Sequence, residues 1–149
     1  MTLADGRCHV DDGAVLIDDG LELLTEEQCA ELLQIGGVGR VGVTVGGLPV
    51  IMPVNYAFID GDIVFRTGDG TKLHAATRRA IVAFEVDAFD AVTLSGWSVL
   101  VIGRSSVVAD DAEETALAVA GITPWAGRER SSYVRLCPEL ITGRRIARA

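Results

Sequence analysis

One lysine stands among the thirteen lysine and arginine residues of this 149-residue chain. It is Lys72, in the segment Phe65-Arg66-Thr67-Gly68-Asp69-Gly70-Thr71-Lys72. Arginine is the default cation here, so an ammonium at this one place invites a chemical reading. The segment reads as the end of a strand that turns through two glycines, with two threonine hydroxyls beside a compact positive charge. Backbone N–H groups, hydroxyls and an ammonium in that arrangement suit a small anion, above all a phosphate. Taken alone, the segment suits a solvated lysine in a polar loop equally well. Arg66 adds a fork-shaped second cation.

Three further places are not explained by a buried strand face. Pro53-Val54-Asn55-Tyr56 puts a proline and an amide inside a strand. Proline cannot donate to a ladder, so this strand is expected to have a local edge. Backbone groups at that edge, with Asn55, would suit a planar heterocycle; Asn55 facing water is the plain alternative. Ser95-Gly96-Trp97-Ser98 sets an indole among small polar groups, which is otherwise a core or interface feature. Ile141-Thr142-Gly143-Arg144-Arg145-Ile146 carries two adjacent cations. Neighbours on a strand point to opposite faces, so Arg144 and Arg145 cannot both enter one site. A charged, solvated sheet edge accounts for them as well.

Other matches fail on context. Gly37-Val38-Gly39-Arg40-Val41-Gly42 has the letters of a dinucleotide fingerprint, but a helix precedes it and a strand follows, the reverse of what that motif needs. The Gly68–Lys72 turn has the wrong glycine spacing for a triphosphate loop, and Leu73 stands where a magnesium-binding hydroxyl would be. Gly96-Trp97-Ser98-Val99-Leu100 lacks the final glycine of a nucleophile elbow. Two histidines, His9 and His74, are too few for a supported metal centre. His74 is the side chain near Lys72 with a reference pKa suited to neutral pH, at the anion end of the site.

The elements that must position these residues are mostly strands. Thr25-Glu26-Glu27-Gln28 is a capping box opening an amphipathic helix that ends at Gly36-Gly37. Strands follow at 38–45 and 48–59, joined by Gly46-Gly47, and at 62–67 after Asp60-Gly61. Two-residue turns force antiparallel pairing. A short helix over 71–77 precedes strands at 79–86 and 92–108, the latter with Gly96 and Gly103 as bend or bulge sites. Asp110 caps a helix over 113–120, and a strand region over 132–148 closes the chain, interrupted near Pro138. The expected fold is mainly β, a six-stranded antiparallel barrel with a few helices, preceded by an arm at 1–20 and occupying 21–149.

Composition narrows the function. A net charge of −8 disfavours nucleic acid and anionic membrane surfaces as partners. Cys8, Cys29 and Cys137 are widely spaced and imply neither a disulfide framework nor a metal site. With no signal peptide and no membrane-length apolar run, a cytoplasmic protein is expected.

Taken in order, the helix, the glycine-joined meander, P-V-N-Y, F-R-T-x-x-G-T-K, the F-E-V-D strand, G-W-S-V and the terminal I-T-G-R-R-I resemble the pyridoxamine 5′-phosphate oxidase-related flavoproteins, the FMN-binding split barrels, over residues 24–146. The resemblance implies a homodimer with FMN at the subunit interface, Val54 and Asn55 along the isoalloxazine, and Thr67, Thr71 and Lys72 on the phosphate. It also implies that Trp97, Ser98 and Arg144 approach from other walls, some from the partner subunit. The chain lacks the extra basic cluster that would hold a phosphorylated substrate, so vitamin B6 oxidation is not expected. Some relatives take F420 in place of FMN, and others haem. The implied function is an FMN-dependent oxidoreductase acting on a small molecule. A non-catalytic flavin or F420 carrier or sensor is the alternative; a structural barrel with a decayed site is disfavoured by the intact anion-binding residues. No catalytic side chain is assigned.

Overall fold

The computed structural model describes residues 17–18, 21–125 and 130–146. Most of the expected arm, with Cys8 and His9, lies outside the described residues. Of that arm Ile17–Asp18 (β1) pairs with Leu21–Leu24 (β2). The capping box forms as the sequence requires. Thr25 Oγ1 accepts from the Gln28 N–H at 3.2 Å, and Gln28 Oε1 accepts from the Thr25 N–H at 2.9 Å. Helix α1 (Glu26–Leu33) then buries Cys29 and Leu33, and left-handed Gly36 ends it.

Strands β3 (Gly37–Val45), β4 (Leu48–Ile59) and β5 (Asp62–Gly68) form the expected meander. Both of its turns have positive φ at each central residue, at Gly46 and Gly47 and at Asp60 and Gly61. That geometry matches the twist of the flanking strands and fixes the register. After helix α2 (Lys72–Ala76) come β6 (Ala80–Asp90), β7 (Ser95–Val107), helix α3 (Asp111–Ala118) and β8 (Ser131–Ile146). The sheet runs β1-β2-β8-β5-β4-β3-β6-β7, and β7 pairs back onto β8. Six strands, β3 to β8, therefore close into one antiparallel barrel, with β1 and β2 as an annex on β8.

Boundaries moved where local polarity misled. The sheet continues through Asp87–Asp90, because these residues pair with Ser95–Ser98 and lengthen the β6–β7 hairpin beyond the barrel. Residues 92–94, expected as strand, form its turn. Helix α3 begins two residues earlier than expected, since Asp110 Oδ1 already accepts from the N–H groups of Ala112 and Glu113 at 2.8 and 3.0 Å.

The interior follows strand alternation. Val41 and Val43, Val54 and Tyr56, Ile63 and Phe65, Val82, Phe84 and Val86, Val99 and Val101, and Val134 and Leu136 all point inward. Burying one such side chain fully stabilises the fold by about 1.5–3 kcal/mol. Tyr56 and Phe84 meet edge to face, their centroids 4.8 Å apart. A second cluster of Val64, Val108, Leu117, Ile122 and Tyr133 lies where α3 covers the outside of the barrel. Arg135 ties α3 there: Nε donates to Glu113 at 2.6 Å and Nη1 to Asp62 at 3.0 Å.

Two irregularities shape the barrel. The register slips between Ile102 and Gly103, leaving Glu139 without an opposite residue. This is the bulge expected near Gly103 and Pro138. β4 pairs with β3 over Leu48–Tyr56 but with β5 only at Tyr56–Ile59. Residues 48–55 thus have a free edge, as Pro53 implied. No helix among the described residues is long and apolar enough to cross a membrane.

Candidate functional site

The free edge of β4 and the end of β5 diverge, and a cavity of about 300 Å³ lies between them. Met52, Pro53 and Val54 form the β4 wall, while Arg66, Thr67, Thr71, Lys72 and Leu73 come from β5 and α2. Trp125 contributes a further wall. Most of this lining is apolar carbon, so polar groups enter it at few points.

Those points are built by the turn after β5. Thr71 N–H donates to Gly68 O at 3.2 Å, and Gly70 takes φ +75°, a conformation that suits glycine. Thr71 caps α2, its Oγ1 accepting from the His74 N–H at 3.1 Å. The hydroxyls of Thr67 and Thr71 are 2.9 Å apart and share a hydrogen bond. Thr67 is 3% exposed, and its Oγ1 also donates to Gly68 O at 3.3 Å. Lys72 stands at the exposed rim, and among the described residues no acceptor pairs with its ammonium. Leu73 is buried, and Thr77, wholly buried at the end of α2, donates through Oγ1 to Leu73 O at 2.8 Å. Ser105 of β7 donates to Thr77 O at 2.8 Å and so fastens the helix to the barrel.

His74 does not line this cavity. Its Nδ1 lies 3.8 Å from Asp69 Oδ1, too far for a hydrogen bond, and Asp69 Oδ1 accepts from the Ser132 hydroxyl at 2.6 Å. Arg66 lines the cavity but is heavily engaged: Nη1 donates to Ile122 O at 3.3 Å, Nη2 to Ser131 Oγ at 2.5 Å, and its carbon lies 4.8 Å from the Tyr133 ring centroid. Its Nε is buried without a partner. Asn55 turns its amide away, donating to Thr123 O at 2.9 Å and to Thr123 Oγ1 at 3.1 Å.

Trp97, Ser98 and Arg144 line a different cavity of about 260 Å³, on β6, β7 and β8. Ser98 lies directly opposite Arg144 and Trp97 opposite Arg145, so Ser98 and Arg144 share one face. Arg145 faces Glu22 at 3.5 Å. One chain thus brings Val54, Arg66, Thr67, Thr71 and Lys72 together and places Trp97, Ser98 and Arg144 in a second group. Trp125 went unread in the sequence, in the connection after the helix over 113–120. Its one mark was a large aromatic in a short connection, in a chain with only two tryptophans.

The family model for pyridoxamine 5′-phosphate oxidase matches residues 25–145. The chain belongs to this family. A solved relative, the FAD binding protein from Mycobacterium smegmatis, is 35% identical, with a TM-score of 0.73 over 84% of this chain and 99% of its own. A conserved protein of unknown function from Corynebacterium diphtheriae is 31% identical, with a TM-score of 0.71 over 85% of this chain and 98% of its own. An uncharacterized protein of Mycobacterium tuberculosis is 34% identical over 83% of this chain and 84% of its own length. Within the family, this chain has the antiparallel split-barrel architecture expected from its motifs.

Proposed function

We propose that this chain binds a flavin nucleotide and serves as an oxidoreductase on a small molecule. Thr67, Thr71 and Lys72 hold the phosphate, and the ring lies along the free edge of β4 at Val54. The observation that carries the reading is one end of the cavity: two hydroxyls in contact, and an ammonium that meets no acceptor among the described residues, beside a largely apolar lining. The residues fit a phosphate attached to a flat, largely apolar body. FMN is the simplest such ligand; the Mycobacterium smegmatis relative, an FAD binding protein, supports FAD, whose diphosphate calls for similar donors together with room for its adenosine. A bound flavin supplies hydride acceptance or electron transfer at its ring. The chain supplies orientation, donors for the phosphate and apolar walls that exclude water. Among the described residues, no side chain lining the cavity is a conventional acid–base group near neutral pH, which supports a contribution from the protein in binding and orientation.

The second cavity is part of the same proposal, through a homodimer. Ile51, Gly42, Ala83, Ile102 and Leu140 lie side by side across five strands on the outer face of the barrel. Ile51 is 72% and Leu140 49% exposed. A second copy covering this apolar row gains stability by burial and brings its Trp97, Ser98 and Arg144 to the edge of the flavin site.

The test is direct titration of the purified chain with FMN, FAD and F420. Tight binding of a flavin is expected, weakened about ten- to hundredfold by Lys72→Ala, the worth of a charge-assisted bond to phosphate. Equal affinity in the variant refutes the phosphate assignment, and preference for F420 replaces the flavin. Sedimentation as a monomer at micromolar concentration removes the shared site.

A further inference from the structure

Asn55 and Arg66 both hold one segment, the connection between α3 and β8. Arg66 bonds Ile122 O on one side and Ser131 Oγ on the other, so a single guanidinium grips the connection at two places. That guanidinium is itself packed on Tyr133, which is buried with Leu117 and Ile122. Asn55 adds two bonds from the free edge of β4 to Thr123. Two residues further on, Trp125 forms a wall of the cavity that contains Lys72 and Val54. Its surface is nevertheless 57% exposed.

An indole left so exposed gains little from folding, because the stabilisation of a large aromatic comes from removing its faces from water. Its backbone, in contrast, is anchored close by through Thr123 and Ile122. An anchored aromatic wall on an apolar cavity is prepared for a flat partner, since part of the ordering cost of binding is already met in the fold. We infer that Trp125 is a ligand-contacting residue, packing against the planar ring system of the molecule whose phosphate sits at Lys72. Asn55 is then a positioning residue that acts on Trp125 through Thr123 rather than on the ligand. The inference rests on the flavin reading above and adds the side chain that selects for a flat fused ring. It also assigns a use to the amide that turns away from the cavity.

The intact chain is titrated with FMN and with FAD. Bound ligand is measured by ultrafiltration, and the emission of the bound flavin is recorded separately. Indole at van der Waals contact quenches an excited flavin by reversible electron donation, so bound flavin is expected to be dim in the wild type. Trp125→Ala is expected to weaken binding about 5- to 20-fold, the lower part of the range for stacking of a flat heterocycle on an aromatic side chain, and to brighten what remains bound. Trp125→Phe keeps a packing surface and is expected to lose less affinity while still brightening the flavin. Asn55→Ala and Asn55→Asp, which removes the amide donor at nearly constant shape, are expected to brighten it with Trp125 still present. Flavin held by the wild type with unchanged affinity and emission in both Trp125 variants overturns the Trp125 assignment and leaves the flavin reading standing. Absence of flavin binding in the wild type overturns both. Brightening by Trp125→Ala without any change in either Asn55 variant overturns the positioning role of Asn55.

Discussion

Ser105 links the barrel to the helix that carries Lys72, and its removal has a calculable cost. The side chain is fully buried; its single hydroxyl hydrogen is shared between Thr77 O at 2.8 Å and Ala80 O at 3.1 Å. Ser105→Ala deletes this donor without creating a large cavity, and water does not replace it. A buried carbonyl left unsatisfied costs about 1–3 kcal/mol. For a domain near this size each kcal/mol moves the thermal midpoint by about 2–4 °C, so a drop of about 2–12 °C is expected. Ser106→Ala is the matched control, because the next residue is exposed and makes no such bond. Its effect should stay within about 0.5 kcal/mol. Thermal unfolding followed by circular dichroism measures both, and flavin titration reports whether loosening the end of α2 also lowers affinity. A Ser105→Ala midpoint no lower than that of Ser106→Ala would refute the claim that this hydroxyl fastens α2.

Two further outcomes follow from single positions. A Cβ at Gly103 would land on the carbonyl oxygen of Cys137, backbone that cannot step aside, whereas at Gly42 it would rest 3.5 Å from Ala83 Cβ in ordinary contact. Gly103→Ala should therefore destabilise by about 1–3 kcal/mol or more and Gly42→Ala by far less in urea unfolding; equal effects would refute the close-approach argument. At the β6–β7 turn, N–H groups of Thr93 and then Val92 hold the Asp90 carboxyl below its ordinary pKa. Because the folded value lies below the unfolded one, this contribution is present above the ordinary carboxylate range and is lost as pH falls through the folded pKa. Carboxyl NMR titration should place the Asp90 midpoint below that of an unfolded peptide, and Asp90→Asn should flatten the acid limb of the stability profile; a midpoint at or above the peptide value contradicts this.

Much of the architecture was legible because it is local. The capping box at Thr25, the cap at Asp110 and the turns at Gly46-Gly47 and Asp60-Gly61 each involve residues within a few positions of one another. Their backbone conformations follow from side chains the sequence displays directly. Tight turns between apolar runs then leave antiparallel pairing as the only option, and six such strands close into a barrel. That Thr67, Thr71 and Lys72 lie together was legible for the same reason, since they occupy one turn.

What the sequence could not reveal is where side chains find partners far along the chain. Asn55 looked like a ring contact, but its amide meets Thr123, sixty-eight residues away. Arg66, read as a second cation beside the anion-binding turn, lines the cavity, and its guanidinium also bonds Ile122 and Ser131, fifty-six and sixty-five residues away. Trp125 sits in a connection without periodicity, so its residue type was the one local mark of a cavity wall. Trp97, Ser98 and Arg144, expected on other walls of the site and in part from the partner subunit, line a second cavity within one chain, because barrel closure, not order along the chain, decides which strands are neighbours. Residue types and short spacings therefore determined the strands, the turns and one charged corner of the site. Only long-range closure decided which atoms face one another across it, because hydrogen bonds and apolar contacts act over a few ångströms while the groups that make them are separated by half the chain.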